Sequence, residues 1–376
     1  MLAGGKGRAL GGEATQGRRH HRAGAGGVDD PALRRACLTE AHGDGAVVVS
    51  QDRPVAAVVG EEPADVGHVV LGDDPEQAIL GLREVARLRA SLVGLQGALG
   101  IAGEPQAVFD ALRADPRFQF GDAQSILAGY AALHDRVDAR LPALFLRQPQ
   151  ATFAVRPVEG FRAASATAAS YSPQSAAGAH AGVLYVNTSE LASRPSYALD
   201  ALYLGEAVPG HIYLAAIAQE TPNLPRFRRF GDDAAMVAGW ALYAQLLGAE
   251  LGLYADPYSQ FGGLNVELSR AAALVVDTGL HAQGWTRQRA EEYLRANTAL
   301  GAADIAVALD RYVACPGEAL AARIGQLKIL ELRRRAEQRL GARFDLREFH
   351  EQVIGSGILP LSVLETRINR WIEARR

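Results

Sequence analysis

A short polar segment between two apolar helical runs restricts the fold of this chain more than any other stretch. It spans residues 205–211, with the sequence Gly-Glu-Ala-Val-Pro-Gly-His, between the apolar runs Tyr197–Leu204 and Ile212–Ile217. Proline removes a backbone donor and glycine frees the backbone, so the Pro-Gly pair predicts a break between two core helices. Because Glu206 and His211 flank this break, we expect a functional site there.

The residue types of this segment invite comparison with a zinc hydrolase. Zn²⁺ needs neutral imidazole nitrogens in a fixed arrangement, and a glutamate activates the bound water. In the common form two histidines lie four residues apart on one helix face. Here His211 is preceded, six positions earlier, by Gly205. Six residues turn the helix by about 600°, so the two positions share a site only if the helix breaks between them.

Several longer motifs resemble a known bacterial family. They include Tyr171–Ser175, Gly182–Thr188, Gly239–Tyr243, Val276–His281, Arg311-Tyr312 with Pro316-Gly317, and Phe344–Arg347. These motifs, and the segment at 205–211, are similar to those of the bacterial domain of unknown function 885 family, whose signature is His-Glu-Ala-Val-Pro-Gly-His-His. The resemblance covers about residues 78–376 in order. It implies a zinc metallopeptidase of the gluzincin type.

The chain departs from this family at the expected metal ligands. Gly205 and Ile212 stand where the signature has histidines, and Ala238 stands where the resemblance places the third ligand, a glutamate. Gln245 replaces the next family glutamate. Of the three expected ligands only His211 remains, and a lone imidazole holds Zn²⁺ weakly. We therefore expect no cofactor, or zinc only if the site is still competent.

The resemblance also implies catalytic and substrate-binding residues. Glu206 is the general base of the family mechanism, and Tyr312 could donate a hydrogen bond to an oxyanion. His281 lies four residues after Asp277, so the aspartate could orient its imidazole. Arg311 belongs to the segment that lines the pocket in the family. Each of these residues also has a structural alternative, such as Tyr312 closing a helix in the core.

A small β region precedes the signature. The runs Phe153–Val158 and Val183–Val186 are rich in branched and aromatic residues and predict a hairpin. In metallopeptidases of this type a strand edge can pair with an extended peptide, which would make Tyr185 and Asn187 substrate-binding residues. Alternatively, the hairpin only packs on the helices.

Two segments of different character make up the chain. Residues 1–73 form a Gly/Ala/Arg-rich arm without helical or strand periodicity, which we interpret as poorly specified and not as family sequence. From Asp74 onward, caps such as Thr286 and a repeat of apolar residues every three or four positions predict helices. The final one is an amphipathic helix from Leu361 to Arg375. The expected fold over residues 74–376 is mainly α, a multi-helix metallopeptidase-like domain with a small β element beside the signature helix.

Composition narrows the possible partners. The 376 residues carry a formal net charge of −3, which gives no electrostatic case for nucleic acid or an anionic membrane. No apolar run approaches the ~20 residues that span a bilayer, and the N-terminus lacks the apolar region of a secretory signal. These features favour the cytoplasm and a peptide or small-molecule ligand. The oligomeric state stays open.

Four functional hypotheses follow. The first is a non-catalytic pseudoenzyme that keeps the family pocket as a binding module, and the second is a degraded gene product. The third is an active zinc peptidase with Glu206 as its base. The fourth is a metal-free acid-base enzyme that uses Glu206, His211, His281 and Tyr312. The loss of two ligands favours an impaired or absent activity.

Overall fold

The computed structural model describes residues 75–175 and 181–376, and over them the chain is mainly helical around one small sheet. The predicted arm at 1–73 lies outside the described residues. The helices are α1 (Pro75–Leu99), α2 (Pro105–Ala114), α3 (Ala123–Asp138), α4 (Leu199–Glu206), α5 (His211–Glu220), α6 (Arg226–Arg229), α7 (Ala234–Leu246), α8 (Pro257–Ala282), α9 (Arg287–Asn297), α10 (Ala302–Ala314), α11 (Glu318–Leu340), α12 (Leu346–Ile354) and α13 (Leu361–Arg375).

Short polar side chains begin many of these helices. The Asp122 carboxylate accepts a hydrogen bond from the Ser125 backbone N–H, and the Ser125 hydroxyl oxygen accepts one from the Asp122 backbone N–H, which makes a capping box at the start of α3. The predicted cap Thr286 accepts from the Arg289 N–H at the start of α9. Such bonds satisfy backbone donors that have no partner within the helix.

The sheet differs from the predicted hairpin. Its strands are β1 (Phe153–Pro157), β2 (Ala169–Ser172) and β3 (Gly182–Val186), in the order β1-β3-β2. β3 pairs in parallel with β1 and antiparallel with β2, so the hairpin prediction is wrong. The intervening β2 was missed because it is short and contributes Ala and Ser, which have weak strand propensity.

Two helices at the centre approach each other through glycines. A Cβ on Gly325 of α11 would lie 1.8 Å from the carbonyl oxygen of Ala235 on α7, and a Cβ on Gly239 would lie 2.4 Å from the Gly325 Cα. Only glycine permits this backbone contact. The contact fixes α7, which carries the fully buried Trp240, behind the break between α4 and α5.

One described helical stretch is long and apolar enough to cross a membrane by composition. It covers Ser196–Glu220, and 78% of its most apolar window is buried inside the protein. This stretch contains α4, the break and α5. Its burial is what the core helices of a globular domain show.

Candidate functional site

The predicted break between two helices forms at the expected residues. α4 ends at Glu206 and α5 begins at His211, with a cis peptide bond between Val208 and Pro209. The Trp240 indole Nε1 donates a 2.8 Å hydrogen bond to the Pro209 carbonyl oxygen. A Cβ on Gly210 would meet the Gly205 carbonyl oxygen at 1.8 Å, so this position has no room for a side chain. The turn is therefore tight and anchored to the core.

His211 packs against the sheet as a neutral imidazole. Its ring stacks on Tyr171 of β2, with centroids 4.3 Å apart and an interplanar angle of 8°. Its Nδ1 is buried and has no hydrogen-bond partner among the described residues. Burial, reinforced by the positive charges of Arg270 and Arg311, lowers the pKa of His211 to about 3. The ring is therefore uncharged at neutral pH.

Gln245 occupies the space beside Gly205. A Cβ on Gly205 would lie 2.4 Å from Gln245 Nε2 and 3.2 Å from its Cδ. The Gln245 side chain comes from α7, is only 5% exposed and lies directly beside Gly205. A larger residue at position 205 therefore requires Gln245 to move. The two residues are far apart in the sequence, so their contact could not be predicted from it.

The residues present do not fit a zinc ion. Within residues 75–175 and 181–376, no three His, Cys, Asp or Glu side chains come together as a metal-binding group. Ala238 lies half-buried on α7 and has no donor atom in its side chain. Burial raises the pKa of Tyr171 and of Tyr130, and the negative charge of Glu206 raises both further. One imidazole and one carboxylate fall short of the ligand set of a zinc hydrolase.

Asp277 accepts a hydrogen bond at the start of another helix, α11, whereas His281 contacts a backbone carbonyl oxygen on α10. Both oxygens of the fully buried Asp277 carboxylate accept from the Gly317 backbone N–H, at 3.0 and 3.1 Å, at the start of α11. Burial raises the pKa of Asp277 to about 6. The exposed His281 uses Nε2 to donate to the Tyr312 carbonyl oxygen at 2.9 Å. Asp277 thus binds the helix start, and its link to His281 is electrostatic.

Two arginines, Arg270 on α8 and Arg311 on α10, lie close enough to His211 for their charges to affect its pKa. The positive charges of Arg270 and Arg311 lower the pKa of His211, and they also oppose the rise in the pKa of Tyr312. Both side chains are therefore affected by the same two arginines. Burial raises the pKa of Tyr312. Arg311 is paired with Glu318. Arg270 is exposed and makes no hydrogen bond or ion pair with the described residues. It was not among the predicted site residues.

The two residues predicted on the strand edge lie elsewhere than expected. β3 is the central strand, so it presents no edge to a peptide at Tyr185, whose ring lies 5.9 Å from the Arg162 guanidinium. Asn187 is fully buried, and its Nδ2 donates to the Ala163 and Ala166 carbonyl oxygens at 2.9 and 3.0 Å. Its amide therefore holds its own loop together. The edge strand beside His211 is β2, through Tyr171.

Comparisons with known proteins give a family and a fold. The family described as bacterial protein of unknown function (DUF885) matches residues 74–368. A structure described as a "putative lipoprotein" from Colwellia psychrerythraea has a TM-score of 0.78 and 34% identity, and the alignment covers 80% of this chain and 52% of that one.

A second structure comes from Shewanella oneidensis and is described as a lipoprotein of unknown function, in the same provisional terms. It has a TM-score of 0.66 and 17% identity, with 77% of this chain and 55% of that chain covered. The chain thus spans about half the length of these two proteins. A search of curated proteins finds no match.

Proposed function

Since the chain belongs to the bacterial DUF885 family, we propose that it is a non-catalytic relative on a metallopeptidase-like scaffold, which binds an extended peptide beside His211 without a resident zinc ion. The observation that carries the proposal is the packing of Gln245 against Gly205. The resemblance places a metal ligand at position 205, and here another side chain fills the adjoining space. A buried glutamine in van der Waals contact is typical of a repacked core, which also argues against a degraded gene product.

The two catalytic alternatives have less support. Water activation by zinc requires an ion held by several donors, and only His211 remains of the set that the family resemblance implies. A metal-free acid-base enzyme would need a base whose pKa lies near the working pH. The pKa of His211 is about 3, and Asp277 is committed to the start of α11. The geometry therefore favours binding over proton transfer.

Features around His211 support a peptide ligand. Within the described residues β2 pairs only with β3, so its other edge can accept the backbone of an extended chain. Tyr171, on this strand, stacks on His211 and is only partly buried. The exposed guanidinium of Arg270 pairs with none of the residues that the structure describes and so provides a partner for a carboxylate. We therefore propose a peptide with an anionic group, such as its own C-terminus.

Evidence on the cellular location of the protein comes from its solved relatives. The solved neighbour that is 34% identical is described as a "putative lipoprotein", which favours function outside the cytoplasm. The cytoplasmic location expected from the sequence is thus not supported. A peptide-binding role outside the cytoplasm agrees with the proposal.

Rebuilding the ligand set tests the metallopeptidase scaffold. We expect the double variant Gly205→His/Ala238→Glu to take up little zinc, because Gln245 blocks the new histidine. Adding Gln245→Ala should clear the space and give about one zinc per chain. The matched control adds His211→Ala to the triple variant and should abolish uptake. A folded triple variant that binds no zinc would contradict the proposed scaffold.

Peptide binding is tested separately by fluorescence anisotropy with labelled hexapeptides. Peptides that have a free C-terminal carboxylate should bind more tightly than the same peptides with an amidated C-terminus. Arg270→Gln should remove this preference, which is expected to be up to about fivefold for an exposed charge pair. The control Arg295→Gln changes an exposed arginine on α9 that pairs within its own helix. Equal binding of both peptide forms would refute the anionic requirement.

A further inference from the structure

A cavity of about 280 Å³ lies on the other side of Gln245, between α7 and α8. Gln245 and Leu246 line it from α7, Leu264 and Glu267 line it from α8, and Tyr254 lines it from the connecting loop. One water molecule occupies about 30 Å³ in the liquid, so the cavity can hold an organic molecule of several heavy atoms. His211 is not among its lining residues. The cavity is therefore a separate site from the one proposed for a peptide.

Tyr254 forms a fixed aromatic wall of this cavity. Its hydroxyl donates a 2.7 Å hydrogen bond to the Gln245 carbonyl oxygen. Its ring lies directly over two glycines, since a Cβ on Gly248 would be 2.5 Å from Cζ and a Cβ on Gly263 would be 3.0 Å from the same atom. The missing side chains at these two positions create the slot that holds the ring. A ring held in this way presents a constant surface to a ligand.

Two residues that line the cavity each have an acceptor oxygen that receives no hydrogen bond from the described part of the chain, and the one on Gln245 is buried. Gln245 is 5% exposed, and its Oε1 is buried without a hydrogen-bond partner in the described part of the chain. Glu267 contacts Arg323 at 3.0 Å and Arg87 at 3.7 Å, both through Oε2. Its Oε1 receives no hydrogen bond from the described residues. An unmade hydrogen bond of a buried acceptor is unfavourable, so a ligand that carries donors is preferred here.

The lining of the cavity carries one formal charge, the negative charge of Glu267, whose Oε2 contacts Arg323 and Arg87 behind the lining. Glu267 is the one charged residue among those that line it, and no lysine or arginine does so. After burial, the charges of Asp200 and Glu267 contribute to a raised pKa of Tyr254. Anionic ligands are thus disfavoured, whereas a cation gains from the carboxylate and from the face of the aromatic ring. Leu246 and Leu264 supply apolar surface for an alkyl group.

We propose that this cavity binds a small organic ammonium. Its N–H groups donate to Gln245 Oε1 and Glu267 Oε1, its charge lies against Tyr254, and its alkyl chain packs on the two leucines. This site is independent of the peptide site, so the outcome of the zinc and peptide experiments does not decide it.

The test compares three molecules of one size on the full chain by isothermal titration calorimetry: n-butylammonium chloride, butan-1-ol and sodium butyrate. Butylammonium should bind at least about tenfold more tightly than butan-1-ol, which corresponds to about 1.4 kcal/mol, and butyrate should bind most weakly. Absence of butylammonium binding, or equal binding of the alcohol, would overturn the proposal.

Two variants localise the binding. Glu267→Gln keeps the shape and removes the charge, so it should abolish the preference for ammonium over alcohol. Because Glu267 also contacts Arg323, Gln245→Met serves as a second variant, and it should weaken butylammonium several-fold. The control Glu250→Gln changes an exposed carboxylate near the end of α7 that does not line the cavity and should leave the affinity unchanged. Butylammonium binding that both variants leave intact would contradict this location.

Discussion

Replacing Asp277 by asparagine should change how the stability of the protein depends on pH. The Asp277 carboxylate is fully buried and accepts from the Gly317 N–H, and burial raises its pKa from 3.8 to about 6. The unfolded chain therefore loses this proton at a lower pH than the folded protein does. Between about pH 4 and 6 the folded state holds more protons, so the stability contributed by this group falls as the pH rises.

The magnitude follows from the size of the shift. The pKa of Asp277 rises by about two units, and each unit corresponds to about 1.36 kcal/mol. The free energy of unfolding is therefore lower by roughly 3 kcal/mol above pH 6 than below pH 4. Two neighbouring charges affect the pKa of Asp277 in opposite directions: His281 lowers it and Glu318 raises it. Asparagine keeps an oxygen that can accept from Gly317 and carries no charge to bury. The variant should therefore gain stability relative to the wild type as the pH rises.

Urea denaturation at pH 4.5, 6.0 and 7.5 measures this difference. We expect the free energy of unfolding of Asp277→Asn, relative to wild type, to rise by about 2 to 3 kcal/mol over the range. The exposed Asp310→Asn on α10 is the control and should change the free energy by less than about 0.5 kcal/mol at each pH. A difference between Asp277→Asn and wild type that stays constant with pH would refute the reasoning.

Three further predictions concern the packing that positions the site. Gly325→Ala should cost at least about 3 kcal/mol, because its Cβ would lie 1.8 Å from the Ala235 carbonyl oxygen. Gly94→Ala, whose Cβ would have nothing within 4 Å, should stabilise helix α1 by up to ~1 kcal/mol. Equal free energies of unfolding for the two variants in urea denaturation would contradict this expectation. Asn187→Ala should cost about 2 kcal/mol and speed proteolysis of its loop, and an unchanged cleavage rate would count against the role of its amide. Arg323→Met should cost about 3 kcal/mol, because the partly buried carboxylates of Glu84 and Glu267 lose a fully buried partner and keep only the exposed Arg87, and a loss below about 1 kcal/mol would show that they do not depend on Arg323.

The elements that local sequence controls were predicted well. The helical break at residues 205–211 follows from Pro209 and Gly210, and the final helix follows from its periodic apolar residues. Thr286 caps the helix that it was expected to cap. Each of these depends on residues within a turn or two of one another, where backbone chemistry decides the outcome.

The contacts that decide the chemistry are long-range and were not visible in the sequence. Asp277 accepts from Gly317, forty residues away, instead of orienting His281. Gln245 fills the space beside Gly205, another contact across forty residues. Tyr171 belonged to a quoted motif, yet its stacking on His211 required the short strand β2 that its weak propensity concealed. Residue identity gave candidates, and tertiary packing determined their partners.

The zinc content of the purified wild-type protein tests the central claim most directly. Elemental mass spectrometry should be made after dialysis against buffer with equimolar zinc, with the Gly205→His/Ala238→Glu/Gln245→Ala variant measured in parallel. We expect far less than one zinc per chain in the wild type and about one zinc per chain in the variant. A wild type that retains stoichiometric zinc, and loses it when His211 is replaced by alanine, would contradict the account and make an active hydrolase the better explanation.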